Sequence, residues 1–229
     1  MKLPFDKIYC LHMAENEIRY QNMMSEFDRL NIKDQVEIWW TCKRKISSKI
    51  GDYLESLHSI FYNYKRKHNE DLYGGVFNCS FEHYTIIKQA YIRGFNSILI
   101  FEDDITFNKH ISVEEIYNIF NSIPDDYDII KFYNENLDKS KILDEVTYIS
   151  NNEQNIYNYS LSSLCYALSR NGMKKYIEKM DNNFEIADRI LDTLKNDKEV
   201  KYYTLSNNVI CNTMDYMHKN STILYNKTH

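Results

Sequence analysis

Proline and glycine are scarce in this chain, at 2 and 5 of 229 residues. With so little of either there is no Pro/Gly/Ser-type linker and no visible boundary between folding units. Also missing is any stretch of the roughly 18 uncharged apolar residues that a membrane-spanning helix needs. The apolar run at 3–11 is interrupted by Asp6 and Lys7 and has no small-residue cleavage site after it, so it is not read as a secretory leader. A soluble chain is expected. The 5 cysteines, Cys10, Cys42, Cys79, Cys165 and Cys211, contain no CxxC pair and no Cys/His zinc pattern. An odd, scattered set of this kind reads as reduced, mostly buried thiols, the expectation for a cytoplasmic protein. Surplus positive charge is lacking too: the net charge is −5 and the sequence pI about 5.8. General nucleic-acid binding, which calls for a basic face against phosphate, is thereby left out.

What is present suffices for one substantial core, since 43% of the 229 residues are hydrophobic. The expectation is a single domain over 1–229. Two local basic clusters, Lys43 with Arg44 and Lys45, and Lys65 with Arg66 and Lys67, leave peripheral contact with an anionic membrane open beside the plainer reading of solvated faces. Four Asn-x-Ser/Thr triplets begin at Asn78, Asn158, Asn220 and Asn226. In an Asn-rich chain they are read as chance occurrences rather than glycan acceptors.

Short apolar runs alternate with helical patterns, which predicts an α/β fold with a mainly parallel, Rossmann-like sheet flanked by helices. Strands are expected at 5–11, 36–42, 97–101, 127–133, 161–168, 202–205 and 208–211. Helices are expected at 14–30, 50–64, 77–93, 113–120, 171–180 and 184–194. In the first of these Ile18, Met23, Met24, Phe27 and Leu30 are available to the core. Phe77, Phe81, Tyr84, Ile87 and Tyr91 recur at three- and four-residue steps, and Gly94 closes that helix.

Glu102, Asp103 and Asp104 follow directly on Ile98, Leu99, Ile100 and Phe101. Ligands of open α/β sheets bind outside the carboxyl ends of strands, so acids placed there are aimed into a cleft. Their mutual repulsion needs an offset. A hard divalent cation such as Mn²⁺ or Mg²⁺ supplies one, because it takes carboxylate oxygens and completes its shell with substrate phosphates. Phosphatases and nucleases place acids in the same way, and an acidic turn without metal is the plain alternative.

The segment 75–83, with Gly75, Cys79 and His83 at four-residue steps, followed by the strand ending in Glu102, Asp103 and Asp104, resembles glycosyltransferase family 25. That family includes lipopolysaccharide and collagen galactosyltransferases. Flanking segments agree in order: an opening strand through Leu11 before a helix with Arg19, the strand at 127–133, Tyr166 to Gly172, and Ile186 to Asp188. Ser221 with Ile223 echoes a C-terminal serine motif. The chain differs in having His12 and only Arg19 where several arginines and an Asn are usual, Glu82 in place of a serine, and Val76 in place of an acid.

The resemblance implies a GT-A-type fold, with 1–107 as donor-nucleotide half and 108–229 as acceptor half. It implies a hexosyltransferase using Mn²⁺ or Mg²⁺ and a UDP-sugar, galactose leading, to modify a hydroxyl of a glycan or protein-linked acceptor with inversion. Asp104 is implied as metal ligand and His218, near Asp215 in the tail, as a further one. Leu11, Arg19, His83, Glu102 and Asp103 are implied on the donor side, and Asp188 as the base on the acceptor side. From helical spacing, His83 shares a face with Cys79, Ile86 and Ala90, and is read as packed near the cleft. Trp39, Trp40 and Tyr166 are candidate stacking rings for uracil or a sugar. Two other readings stay open: a catalytically inactive glycan- or partner-binding module, and a metal-dependent phosphate-cleaving enzyme.

Overall fold

The computed structural model describes residues 2–41, 70–133, 148–150, 162–205 and 210–214, with side chains from Asn78 onward in the helix that begins at Glu70. The helix expected at 50–64, both basic clusters, Asp215, His218 and Ser221 lie outside the described residues, as do the triplets at Asn158, Asn220 and Asn226.

The elements in chain order are β1 (Lys7–Met13), α1 (Glu17–Arg29), a 3₁₀ turn (Lys33–Gln35), β2 (Val36–Thr41), α2 (Glu70–Ile92), β3 (Ser97–Glu102) and β4 (Ile105–Phe107). They continue with α3 (Val113–Asn121), β5 (Ile129–Lys131), β6 (Tyr148–Ser150), β7 (Cys165–Ser169), α4 (Arg170–Asn182), α5 (Ala187–Lys195), β8 (Tyr202–Leu205) and β9 (Cys211–Thr213). Seven strands form one sheet in the order β2-β1-β3-β7-β5-β8-β6, and β4 with β9 makes a separate ribbon.

The sheet is mixed, which corrects the expectation of a mainly parallel one. β1 is parallel to β2 and to β3, and β5 to β8. β7 runs antiparallel between β3 and β5, and β6 antiparallel to β8. An apolar strand leading straight into a helix looks the same in sequence whichever way it points, because direction is fixed by the connection before it and not by the strand's own residues. One consequence matters for the site. β1, β2, β3, β5 and β8 all end on the same edge, at Met13, Thr41, Glu102, Lys131 and Leu205, and β7 begins there.

Both faces of β3 are covered, so its residues alternate between two cores. Leu99 and Phe101 join Met23, Phe27, Ile116 and Phe120 under α1 and α3. Ile98 and Ile100 join Ile86, Met173, Tyr176 and Leu191 under α2, α4 and α5. Ile18 does not reach the core and is 58% exposed. Met23, Phe27 and Leu30 define the buried stripe of α1, and a residue five before Met23 lies about 140° round the helix from it.

Local chemistry sets the helix ends. Asn16 accepts from the Arg19 amide at 3.2 Å and starts α1. Ser112 and Glu115 form a reciprocal capping box on α3. Gly94, at φ +83°, turns the chain out of α2. Asn78 is buried on α2, which removes that triplet as a surface acceptor in the folded chain.

Candidate functional site

β3 is buried from Ile98 to Phe101, and the chain then turns at Asp103 and Asp104 before entering β4. Both aspartates are buried, at 4% and 2% exposure. Asp103 has its oxygens engaged: Arg19 Nη1 donates to Oδ1 at 2.7 Å, while His12 Nδ1 at 2.8 Å and the Met13 amide at 3.1 Å meet Oδ2. Burial pushes its carboxyl up, but His12 and the Arg19 guanidinium outweigh burial and hold it below the usual carboxylate range.

Asp104 is differently placed. Arg19 Nη2 stands 3.4 Å from its Oδ2, and its Oδ1 is buried with no hydrogen-bond partner. Burial first, and the neighbouring Glu102 second, push its carboxyl up to about 7 against the pull of Arg19. A buried carboxylate with an orphaned oxygen, beside a second acid, matches the donor chemistry of a hard divalent cation. These residues therefore fit such an ion at Asp104. Arg19 itself loses by burial, yet Asp104 and Asp103 raise its affinity for its proton overall.

Glu102 ends a hydrogen-bonded chain. His83 Nε2 lies 3.2 Å from its Oε1, the Ser163 hydroxyl donates to the same oxygen, and His83 Nδ1 lies 2.8 Å from the Tyr166 hydroxyl. With an ionised Glu102 accepting, Nε2 carries the proton and Nδ1 accepts from Tyr166. Burial pushes Glu102 up, and the bonds from His83 and Ser163 bring it below its ordinary value. His83 is fully buried. It packs on the sheet side of α2, on the face that helical spacing gives it with Cys79, Ile86 and Ala90.

Cys79, His83 and Glu102 offer ligand atoms within 4.8 Å of one another and could hold a metal ion. Burial, with Glu102 next, keeps the Cys79 thiol well above its ordinary value and so protonated. A protonated thiol and an imidazole engaged at both nitrogens describe a latch that orients Glu102 better than a ready metal site. At Asp104 one carboxylate oxygen is free of such bonds, while Arg19 stands beside the other.

Asp188 lies in the first turn of α5 with its Oδ1 buried and unpartnered, and within electrostatic reach of Glu102. Burial raises its carboxyl, against the attraction of Lys131. Lys131, the last residue of β5, is 1% exposed. Burial brings it down to about 8, opposed by Asp192 and Asp188.

The aromatic candidates separate clearly. Trp40 is 56% exposed and clusters with Tyr20, at 5.2 Å between ring centroids, and His12, at 5.0 Å. Trp39 is half-buried, with its indole N–H donating to Glu82 at 2.8 Å. Tyr166 is fully buried with its hydroxyl committed to His83, so the expectation of a ligand-stacking ring there is withdrawn. Leu11 gives its side chain to the core. The Met214 amide donates to the Asp104 carbonyl at 3.0 Å, so the last described residue of the tail sits beside the acids.

Three participants carry weak sequence signals. His12 stands out only as the one polar residue near the end of an apolar strand, Lys131 only as a charge inside the run 129–133, and Ser163 not at all. Partners brought together across the sheet have no sequence spacing to betray them.

No family model and no curated protein sequence matches the chain. Among solved structures, the chain is similar to a glycosyltransferase involved in the glycosylation of the major capsid of PBCV-1, at 9% identity and a TM-score of 0.46 over 86% of this chain and 79% of that one. It is also similar to A197 from STIV, at 9% identity and a TM-score of 0.42 over 91% of this chain and 85% of that one.

Proposed function

We propose that the chain is a metal-dependent glycosyltransferase that moves a hexose, galactose foremost, from a UDP-sugar to a hydroxyl of a glycan or protein-linked acceptor with inversion. The observation that carries this reading is the buried, orphaned Oδ1 of Asp104 at an edge where five strands end. Asp104 would hold Mn²⁺ or Mg²⁺, with His218 of the tail as a further ligand. A divalent cation supplies positive charge against the leaving diphosphate.

The chain's own groups divide the remaining work. Arg19 fixes Asp103 and Asp104 in one array, and Glu102, held by His83 and Ser163, faces the donor. The exposed ring of Trp40, backed by half-buried Tyr20, offers a planar face for the base. On the acceptor side Asp188 takes the hydroxyl proton as the acceptor oxygen bonds to the sugar carbon and the bond to the diphosphate breaks. Residues 1–107 form the donor half and 108–229 the acceptor half. The proposed setting is cytoplasmic, open to peripheral membrane contact, without a nucleic-acid partner. No helix among the described residues is long and apolar enough to cross a membrane.

One observation favours a second reading, a non-catalytic glycan- or partner-binding module: Asp103 is satisfied by Arg19, His12 and Met13 without any ligand. A thermal-shift screen of UDP-galactose, UDP-glucose and UDP-N-acetylhexosamines, with and without Mn²⁺, tests the main proposal. A rise in melting temperature that needs both nucleotide sugar and Mn²⁺ is expected. No rise with any UDP-sugar contradicts it, and a rise without turnover on any acceptor supports the module instead.

A further inference from the structure

Lys131 ends a strand whose other residues, Ile129 and Ile130, are apolar, and it is 1% exposed. A lysine ammonium is hardly ever buried to that degree without anions, because desolvating the charge costs far more than its methylene stem gains. Register places Lys131 opposite Tyr166 on β7 and Thr204 on β8. Paired residues share a sheet face, and Ile129 and Tyr166 belong to the core beneath α2, α4 and α5. The ammonium therefore points into that side of the molecule.

There α5 supplies two carboxylates on one side of its axis, Asp188 and, one turn on, Asp192. Asp192 is 6% exposed, and Asp188 has its Oδ1 buried without a hydrogen-bond partner. Other charged or titratable groups facing this cluster are Lys195 on α5, Glu102 on β3, Cys79 on α2, and Tyr176 on α4 with Tyr202 on β8, whose hydroxyls are buried and unpartnered. Of all these side chains, Lys131 is the cation that favours the ionised form of Asp188.

We propose that Lys131 is a positioning residue for Asp188: its buried ammonium keeps that carboxylate ionised as proton acceptor, while Asp192, one turn on, adds a second negative charge on the same side of the ammonium. This rests on the reading of Asp188 as the acceptor-side base. Burial pulls the two groups in opposite directions, Asp188 up and Lys131 down to about 8, and each charge offsets the other's displacement. Lys131 thus remains largely protonated at neutral pH. Without it, Asp188 would hold its own proton to higher pH and be unavailable as a base.

The test uses the full chain labelled with ¹³C at the aspartate carboxyls, Asp188 being assigned through Asp188→Asn. Lys131→Met is expected to raise the Asp188 titration midpoint by a pH unit or more, and Lys131→Arg to leave it near wild type. In transfer assays Lys131→Met moves the acidic limb of kcat to higher pH and lowers kcat at pH 7 about tenfold. KM for the donor stays the same, and Lys131→Arg recovers the profile. Should Lys131→Met not fold, the reciprocal measurement decides: in Asp188→Asn the Lys131 ammonium, followed by ¹⁵N shifts, loses its proton at lower pH than in wild type. An Asp188 midpoint that stays put in folded Lys131→Met, or a Lys131 midpoint that stays put in Asp188→Asn, overturns the proposal. The titrations need no substrate, so a wild-type chain that transfers no sugar defeats the transferase reading while the carboxyl midpoint still decides the pairing.

Discussion

Arg19 Nη1 lies 2.7 Å from Asp103 Oδ1, and the same guanidinium reaches within 3.4 Å of Asp104. One side chain from α1 thus serves two buried acids whose titration departs in opposite directions. Asp103, with His12 as second partner, is held low; Asp104, with an oxygen left over, is pushed up. The asymmetry gives the site one acid that is structurally complete and one that is not.

Removing the guanidinium strands both. Arg19→Met is expected to destabilise the chain by about 3–5 kcal/mol, the usual range when one partner of a buried ion pair is lost. Urea unfolding of the variant against wild type reads this directly. Adding Asp103→Asn to Arg19→Met should recover part of the loss, and purely additive effects would show that the two do not interact.

Asp104 makes metal-free stability depend on pH with a definite sign. Its folded pKa, about 7, lies above the ordinary 3.8, so the folded chain binds the extra proton between those values. The penalty for its charge is absent below about pH 4, grows as pH rises, and is complete above about 7. With EDTA present, Asp104→Asn should gain on wild type between pH 5 and 8, ending about 2–4 kcal/mol ahead. Unfolding curves with a pH-independent gap would contradict this.

Elements set by local pattern were legible in the sequence. Met23, Phe27 and Leu30 mark α1, and the run before Glu102 marks β3 as a buried strand with acids at its end. The sheet's mixed direction was not, because β7 has the same apolar character either way. Nor were β4 and β6, whose short strands carry no period of their own. In the site, helical spacing put His83 on the buried face of α2 with Cys79, Ile86 and Ala90. The partnerships of His12 with Asp103 and of Lys131 with Asp188 join distant segments through sheet order, which no local spacing encodes.

Trp40 is exposed, so its replacement should spare the fold. Trp40→Ala is expected to weaken UDP binding about tenfold, the scale of one aromatic stacking contact, with an unchanged melting temperature in the absence of ligand. Titration calorimetry with UDP and Mn²⁺ measures it, and unaltered affinity would remove the ring from the donor site.

Gly172 lets α4 lie against the loop before β5. A Cβ there would stand 1.9 Å from the Asp128 carbonyl oxygen, a backbone atom that cannot swing aside. Gly172→Ala should cost about 1–3 kcal/mol by overpacking, despite alanine's better helix propensity. A variant as stable as wild type would mean that the loop yields freely.

A divalent cation at Asp104 that binds diphosphate is what the proposed transfer needs first. Electron paramagnetic resonance of free Mn²⁺ tests this most directly, titrating wild type and Asp104→Asn with and without UDP. Wild type should remove Mn²⁺ from solution, more strongly with UDP present, and Asp104→Asn should leave the free-ion signal as it is in buffer with the same UDP. Equal loss of signal in the two proteins would contradict the account.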